Sequence, residues 1–157
     1  MPDRIQQPNF LLQTYILGQL VGGLLAEEMT AGELVPSEYA VQSVIGAFGP
    51  IMPSELAQML GMPPTTLSAH LRRFLERGHL DRTPNPRDGR SYLVTLSAKG
   101  RKAVEEGHAA LTRTLGDVHA QLDPGAAETV AAALAEYERA LRAAQVAWVE
   151  AGAAKSH

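Results

Sequence analysis

Near the start of the chain apolar residues recur every four positions, at Leu12, Ile16, Leu20 and Leu24, with Leu11 and Tyr15 beside them. That period predicts a helix from about Phe10 to Glu28. Gly32 then interrupts the pattern, and Pro36-Ser37-Glu38 has the form of a helix opening, with Tyr39, Val41, Val44, Ile45 and Phe48 following at helical spacing until Gly49-Pro50. Pro53-Ser54-Glu55 opens a short third helix through Leu60, for which Gly61 is the expected C-terminal cap. A fourth runs from Pro64 to about Arg77 and stops at Gly78. The period then changes. Leu80 to Thr83 and Ser91 to Leu96 read as strands, separated by the turn formers Pro84-Asn85-Pro86-Arg87-Asp88-Gly89-Arg90. Ser97 is placed to cap a long helix over 98–121, and Asp123-Pro124 to open a last one to about 150. On that last helix Val130, Leu134, Tyr137, Leu141, Ala144 and Trp148 form a stripe that wants a partner helix.

The expected fold class is therefore mainly α with a small β-hairpin. Two short helices joined around a glycine are the composition cue for a helix-turn-helix, and the hairpin after them makes it a winged one. Alanine and leucine, with only 5 % aromatic residues, favour closely packed helices over a β-sandwich.

Composition removes several chemistries. Without cysteine there is no disulfide, thiolate catalysis or cysteine zinc site. His108 and His119 share a helix face but would stand about 16 Å apart, so no metal site is expected. No phosphate-binding glycine loop or metalloprotease motif occurs, and no serine is singled out by a base and an orienting acid, so neither an enzyme nor a cofactor is expected. The first residues lack the pattern of a signal peptide. The stretch 10–26 is apolar, but Gln13, Gln19 and three glycines interrupt it, which favours a core helix over a membrane span and a cytoplasmic protein.

Charge adds one more feature. Residues 72–102 hold nine basic and three acidic side chains, leaving five basic and fourteen acidic elsewhere. A basic segment on an acidic body suits a polyanion, although a solvated helix and hairpin would look the same. On the fourth helix Leu67, Leu71, Phe74 and Leu75 fall on one face. Thr65, Thr66, Ala69, Arg73 and Glu76 fall on the other, with Arg72 at its margin and Ser68 and His70 on the boundaries. Short hydroxyls at the N-terminus, a small residue and arginines farther along fit a helix that enters a DNA major groove. They also fit an ordinary amphipathic surface helix. At the hairpin tip, Arg87 and Arg90 are suited to a minor groove, and Asp88 is read as a partner that orients a neighbouring arginine.

The stretches Ser54-Glu55-Leu56-Ala57-Gln58-Met59-Leu60-Gly61, Pro64-Thr65-Thr66-Leu67-Ser68 and Leu75-Glu76-Arg77-Gly78-His79-Leu80 resemble the winged helix of the MarR family of bacterial regulators. So do Arg87-Asp88-Gly89-Arg90 and Tyr92 to Gly100. The resemblance implies a triangular dimer built from N-terminal (1–35) and C-terminal (101–157) dimerisation helices around a DNA-binding domain over 36–100. It implies a recognition helix in the major groove, with Arg90 reaching the minor groove. Gly89 and Ala69 depart from the family, which often has an arginine at the first and a longer polar residue at the second. The implied function is a homodimeric, sequence-specific regulator, usually a repressor, acting on palindromic double-stranded DNA and released by a small aromatic or anionic effector. Tyr15, Gln19, Tyr39, Ser43 and Phe48 are the side chains expected to line the effector pocket. Two rival readings are a winged helix used for protein–protein contact and a small-molecule sequestering protein with little DNA binding.

Overall fold

The computed structural model describes residues 9–30 and 32–154, with side chains of the last helix described through Trp148. The order is α1 (Phe10–Glu28), α2 (Pro36–Phe48), α3 (Pro53–Leu60), α4 (Pro64–Glu76), β1 (Leu80–Asn85), β2 (Asp88–Leu96), α5 (Ala98–His119) and α6 (Ala126–Ala154). The chain forms two compact units, one through Thr114 and one from Leu115, so their boundary falls inside α5.

Local chemistry accounts for most element ends. The Asn9 side chain accepts from the Leu12 N–H at 3.0 Å and starts α1. Prolines occupy the first turns of α2, α3 and α4, where the missing N–H costs nothing. Gly61 ends α3 in the left-handed conformation, as its position in the sequence predicts. Ser97 caps α5, its Oγ accepting from the Gly100 N–H at 3.1 Å while donating to the Gly78 carbonyl at 2.6 Å.

The last helix and the hairpin differ most from the sequence expectation. The last helix starts at Ala126 rather than Pro124, because Gly125 takes φ +80 and cannot be a helical residue there. The hairpin is also tighter: β1 and β2 pair antiparallel from Leu80↔Leu96 to Asn85↔Asp88, leaving only residues 86 and 87 between them. Side chains make the difference. Asn85 Oδ1 accepts from the Arg87 N–H at 3.0 Å, and its Nδ2 donates to Ser91 Oγ at 2.9 Å, so the tip is stitched where turn formers alone suggested a long loop. Ile51 adds a backbone bridge to Val94 and ties the α2–α3 linker to β2.

The core of the first unit gathers Val41 and Ile45 of α2, Leu56 of α3, Leu67, Leu71 and Phe74 of α4, and Leu80, Val94 and Leu96 of the hairpin. It includes the predicted inner face of α4, with Leu75 only partly buried at its edge. A satellite cluster of Met29, Leu34, Ala103 and Ala110 packs the α1–α2 turn on α5. Gly100 is required by this packing: a Cβ there would lie 2.1 Å from the His79 carbonyl oxygen. α1 is not the core helix its sequence suggested. It has no buried residue, and Phe10, Leu11, Leu12, Tyr15, Ile16, Leu17, Leu20, Val21 and Leu24 are all exposed. By length and composition it could cross a membrane. On α6, in the second unit, Val130, Leu134, Leu141, Val146 and Trp148 are exposed.

Candidate nucleic-acid interface

Burying Leu67, Leu71 and Phe74 orients α4. Rotation at 3.6 residues per turn then carries Thr65, Thr66, Ser68 and Arg72 outward, where all four are exposed, with Ala69 half-buried beside them. The N-terminal N–H groups of α4 have no side-chain cap, and the helix dipole gives that end partial positive charge.

His70 and Arg73 behave differently. His70 is buried against Phe74, the rings 5.8 Å apart and 30° from parallel. Its Nδ1 lies 3.0 Å from Arg73 Nη2. A guanidinium only donates, so Nδ1 is the acceptor and the ring proton sits on Nε2. Burial, and then the Arg73 charge, hold His70 below the usual histidine range, with Glu38 opposing. Arg73 Nε also lies 3.8 Å from Glu38 Oε1, and the other Glu38 oxygen accepts from Arg77 Nη1 at 2.8 Å. His70, expected to face DNA, is thus largely buried, with its Nδ1 engaged by Arg73.

The wing tip is built by its own side chains. Asp88 Oδ1 accepts from the Arg90 N–H at 3.0 Å, and the Asp88 carbonyl accepts from Ser91 Oγ at 3.0 Å. The expectation that Asp88 orients a guanidinium is therefore corrected: its carboxylate accepts the Arg90 backbone N–H in an Asx turn and, among the described residues, pairs with no arginine head. Arg87, Asp88, Gly89 and Arg90 are all exposed. Farther down, the Arg82 guanidinium lies 3.7 Å from the Tyr92 ring centroid. Among the described residues, the guanidinium groups of Arg72, Arg87 and Arg90 have no hydrogen-bond, ion-pair or aromatic partner.

On the same unit a cleft of about 540 Å³ opens between α2, the end of β2 and α5. Of the five side chains expected to line an effector pocket, it brings together Tyr39 and Ser43 and adds Arg101, Val104 and His108. Tyr15, Gln19 and Phe48 do not line it: α1 stands exposed, and Phe48 points to solvent at the end of α2. The Tyr39 hydroxyl lies 3.4 Å from His108 Nδ1, and Arg101 Nη1 donates to the Leu96 carbonyl at 2.7 Å. Ser43 Oγ is buried with no partner among the described residues.

The sequence pattern of the MarR family matches residues 36–91, which run from the start of α2 into β2. The multiple antibiotic resistance protein MarR of Salmonella typhimurium is 31 % identical over 108 residues, covering 69 % of this chain and 73 % of that protein. The chain belongs to the MarR family. A probable transcriptional regulator from Pseudomonas aeruginosa has a crystal structure that superimposes with a TM-score of 0.72 at 30 % identity, covering 84 % of this chain and 97 % of that one. A mutant MarR from E. coli, crystallised in complex with operator DNA, shares the fold with a TM-score of 0.77 at 23 % identity, covering 87 % and 99 % of the two chains.

This MarR-family chain is thus a transcriptional-regulator fold, mostly helical with a two-stranded wing, and not an enzyme. Sequence reasoning missed a polar cluster behind α4. His79 is fully buried, its Nδ1 2.9 Å from Gln42 Nε2 and its Nε2 2.8 Å from Glu33 Oε2, which Lys99 also approaches at 3.4 Å. Hydrogen bonds from His79 and then Lys99 hold the Glu33 carboxyl below its ordinary range. No local pattern announces such a cluster, because its members come from the α1–α2 turn, α2, the α4–β1 turn and α5. Arg101 and His108 were equally hidden, being separated from Tyr39 by more than sixty residues.

Proposed function

We propose that this chain binds double-stranded DNA in a sequence-specific manner, with α4 in the major groove and the wing tip in the minor groove, as a homodimer on palindromic operators. The observation that carries this reading is that the guanidinium groups of Arg72, Arg87 and Arg90, on α4 and on the wing, have no partner among the described residues, while Thr65, Thr66 and Ser68 are exposed on α4. Uncommitted guanidinium groups on a protruding hairpin and helix are what a phosphate backbone and its grooves take up. The uncovered apolar side of α1 supports the dimer. So large an exposed patch needs cover, a second copy supplies it with two-fold symmetry, and half-sites then fall about 34 Å apart.

The regulator is a repressor that a small aromatic or anionic molecule releases. The cleft supports this role. Tyr39 and Val104 offer apolar surface, Arg101 offers a positive charge although Glu105 also lines the cleft, and Ser43 Oγ lacks a partner among the described residues. Because Arg101 also holds the Leu96 carbonyl at the end of β2, an anion taken into the cleft competes for the group that anchors the wing strand.

The test is binding of the full chain to a duplex from upstream of its own gene, followed across salt concentrations. Log affinity should fall by about 0.9 per tenfold rise in salt for each phosphate contacted, and Arg90→Ala should weaken binding on every sequence. A shallow salt response shared by wild type and Arg90→Ala would leave protein contact or small-molecule sequestration as the function.

A further inference from the structure

We infer that Glu38 and His70 are positioning residues that hold the Arg73 guanidinium in one orientation for reading a base edge, which makes them determinants of sequence specificity although neither faces DNA. This rests on the proposed docking of α4.

The geometry is that of a fixed arginine. Arg73 is approached on Nε by Glu38 at 3.8 Å and on Nη2 by His70 at 3.0 Å, so one edge of its fork is occupied. Nη1 and the second Nη2 proton remain, and the side chain is 47 % exposed. Both holders are themselves anchored. Glu38 is 3 % exposed and bonded to Arg77, which also reaches the Glu33 carbonyl at 3.5 Å. His70 is pinned against Phe74, and because a guanidinium only donates, its Nδ1 offers the lone pair to Arg73. Among the described residues the ion pairs of this buried carboxylate go to Arg77 at 2.8 Å and Arg73 at 3.8 Å, so one fixed anion, anchored by Arg77, stands beside Arg73. A long side chain ordered before binding loses less freedom on docking than a free one such as Arg72, and its direction discriminates between bases.

The test uses the full chain, a duplex that the wild type selects from a random-sequence pool, and a scrambled duplex of the same length. Glu38→Gln and His70→Leu should each reduce the ratio of selected to scrambled affinity about tenfold, with the salt slope unchanged because Arg73 keeps its charge. His70→Asn, whose Oδ1 accepts near the place of Nδ1, should stay close to wild type. Once Arg73 is alanine, Glu38→Gln should change the ratio no further. Where Glu38→Gln does not fold, the His70 pair and Arg73→Ala carry the test. An equal fall on both duplexes together with lost thermal stability would show a merely structural role and overturn the inference. So would a gain on the scrambled duplex with a steeper salt slope, since Glu38 would then be restraining Arg73 from phosphate. A wild type that selects a sequence while Arg73→Ala leaves its ratio intact sinks the positioning role alone. A wild type that selects none and ignores salt sinks the DNA reading, and the positioning role with it.

Discussion

At the scale of single residues, the wing tip and the packing under His79 make opposite demands on glycine. A Cβ at Gly89 would meet nothing within 4 Å, and its φ lies outside the left-handed region, so an arginine fits there. Gly89→Arg should bind DNA more tightly, with a salt slope steeper by about 0.9, measured by titration at several ionic strengths. Gly100 has no such room. Gly100→Ala drives a methyl into the His79 carbonyl and should cost about 1–3 kcal/mol or more in thermal unfolding. Buried His70 adds a pH dependence. Its folded pKa lies below the ordinary 6.5, chiefly through burial and then through Arg73, so the unfolded chain takes up a proton more readily. The stability this confers is complete above pH 6.5 and is lost as pH falls toward the folded value. Glu33, lowered from 4.5 by hydrogen bonds from His79 and Lys99, acts in the same direction at more acid pH. Denaturant unfolding at a series of pH values should show the decline, and His70→Leu should flatten the part that begins near 6.5.

At the scale of elements, α4 and the wing were legible for different reasons. The 3.6-residue period and the flanking Pro64 and Gly78 mark α4 locally, and its buried face came out at Leu67, Leu71 and Phe74 as the pattern implies. Phe74 is fully buried in the core that α4 shares with α2, α3 and the hairpin, so Phe74→Ala should cost about 3–5 kcal/mol in unfolding free energy. The hairpin was visible, but its tip was not. Seven turn-forming residues suggested a long loop, whereas Asn85 and Asp88 satisfy backbone N–H groups within it and let the ladder continue to Asn85↔Asp88. Asn85→Ala should loosen the tip and raise amide exchange at Arg87 and Arg90 while α4 stays protected.

At the scale of the whole molecule, α1 is the element whose sequence and surroundings disagree within one chain. Nine large apolar side chains lie exposed on a helix that begins with a clean cap. A second copy that covers them would bury surface whose loss separates the subunits without unfolding the winged helix. Leu20→Glu should therefore shift the protein toward monomer in sedimentation equilibrium and weaken DNA binding, with the circular dichroism of the folded chain retained. A dimer of unchanged strength would remove α1 from the interface.

The sequence by itself determined what depends on neighbours along the chain: the helices, the caps at Gly61 and Ser97, the inward face of α4, the two strands, and the chemistry of the outward face. The MarR resemblance rested on those same local motifs. Only the tertiary structure decided which charged groups are free. Arg72, Arg73 and Arg77 are alike as letters, yet Glu38, about forty residues earlier, engages two and leaves the third open. His79 and Arg101 were settled the same way, by partners that spacing cannot reveal. Burial and ion pairing are properties of the folded surroundings, and a side chain acquires them only when distant segments meet.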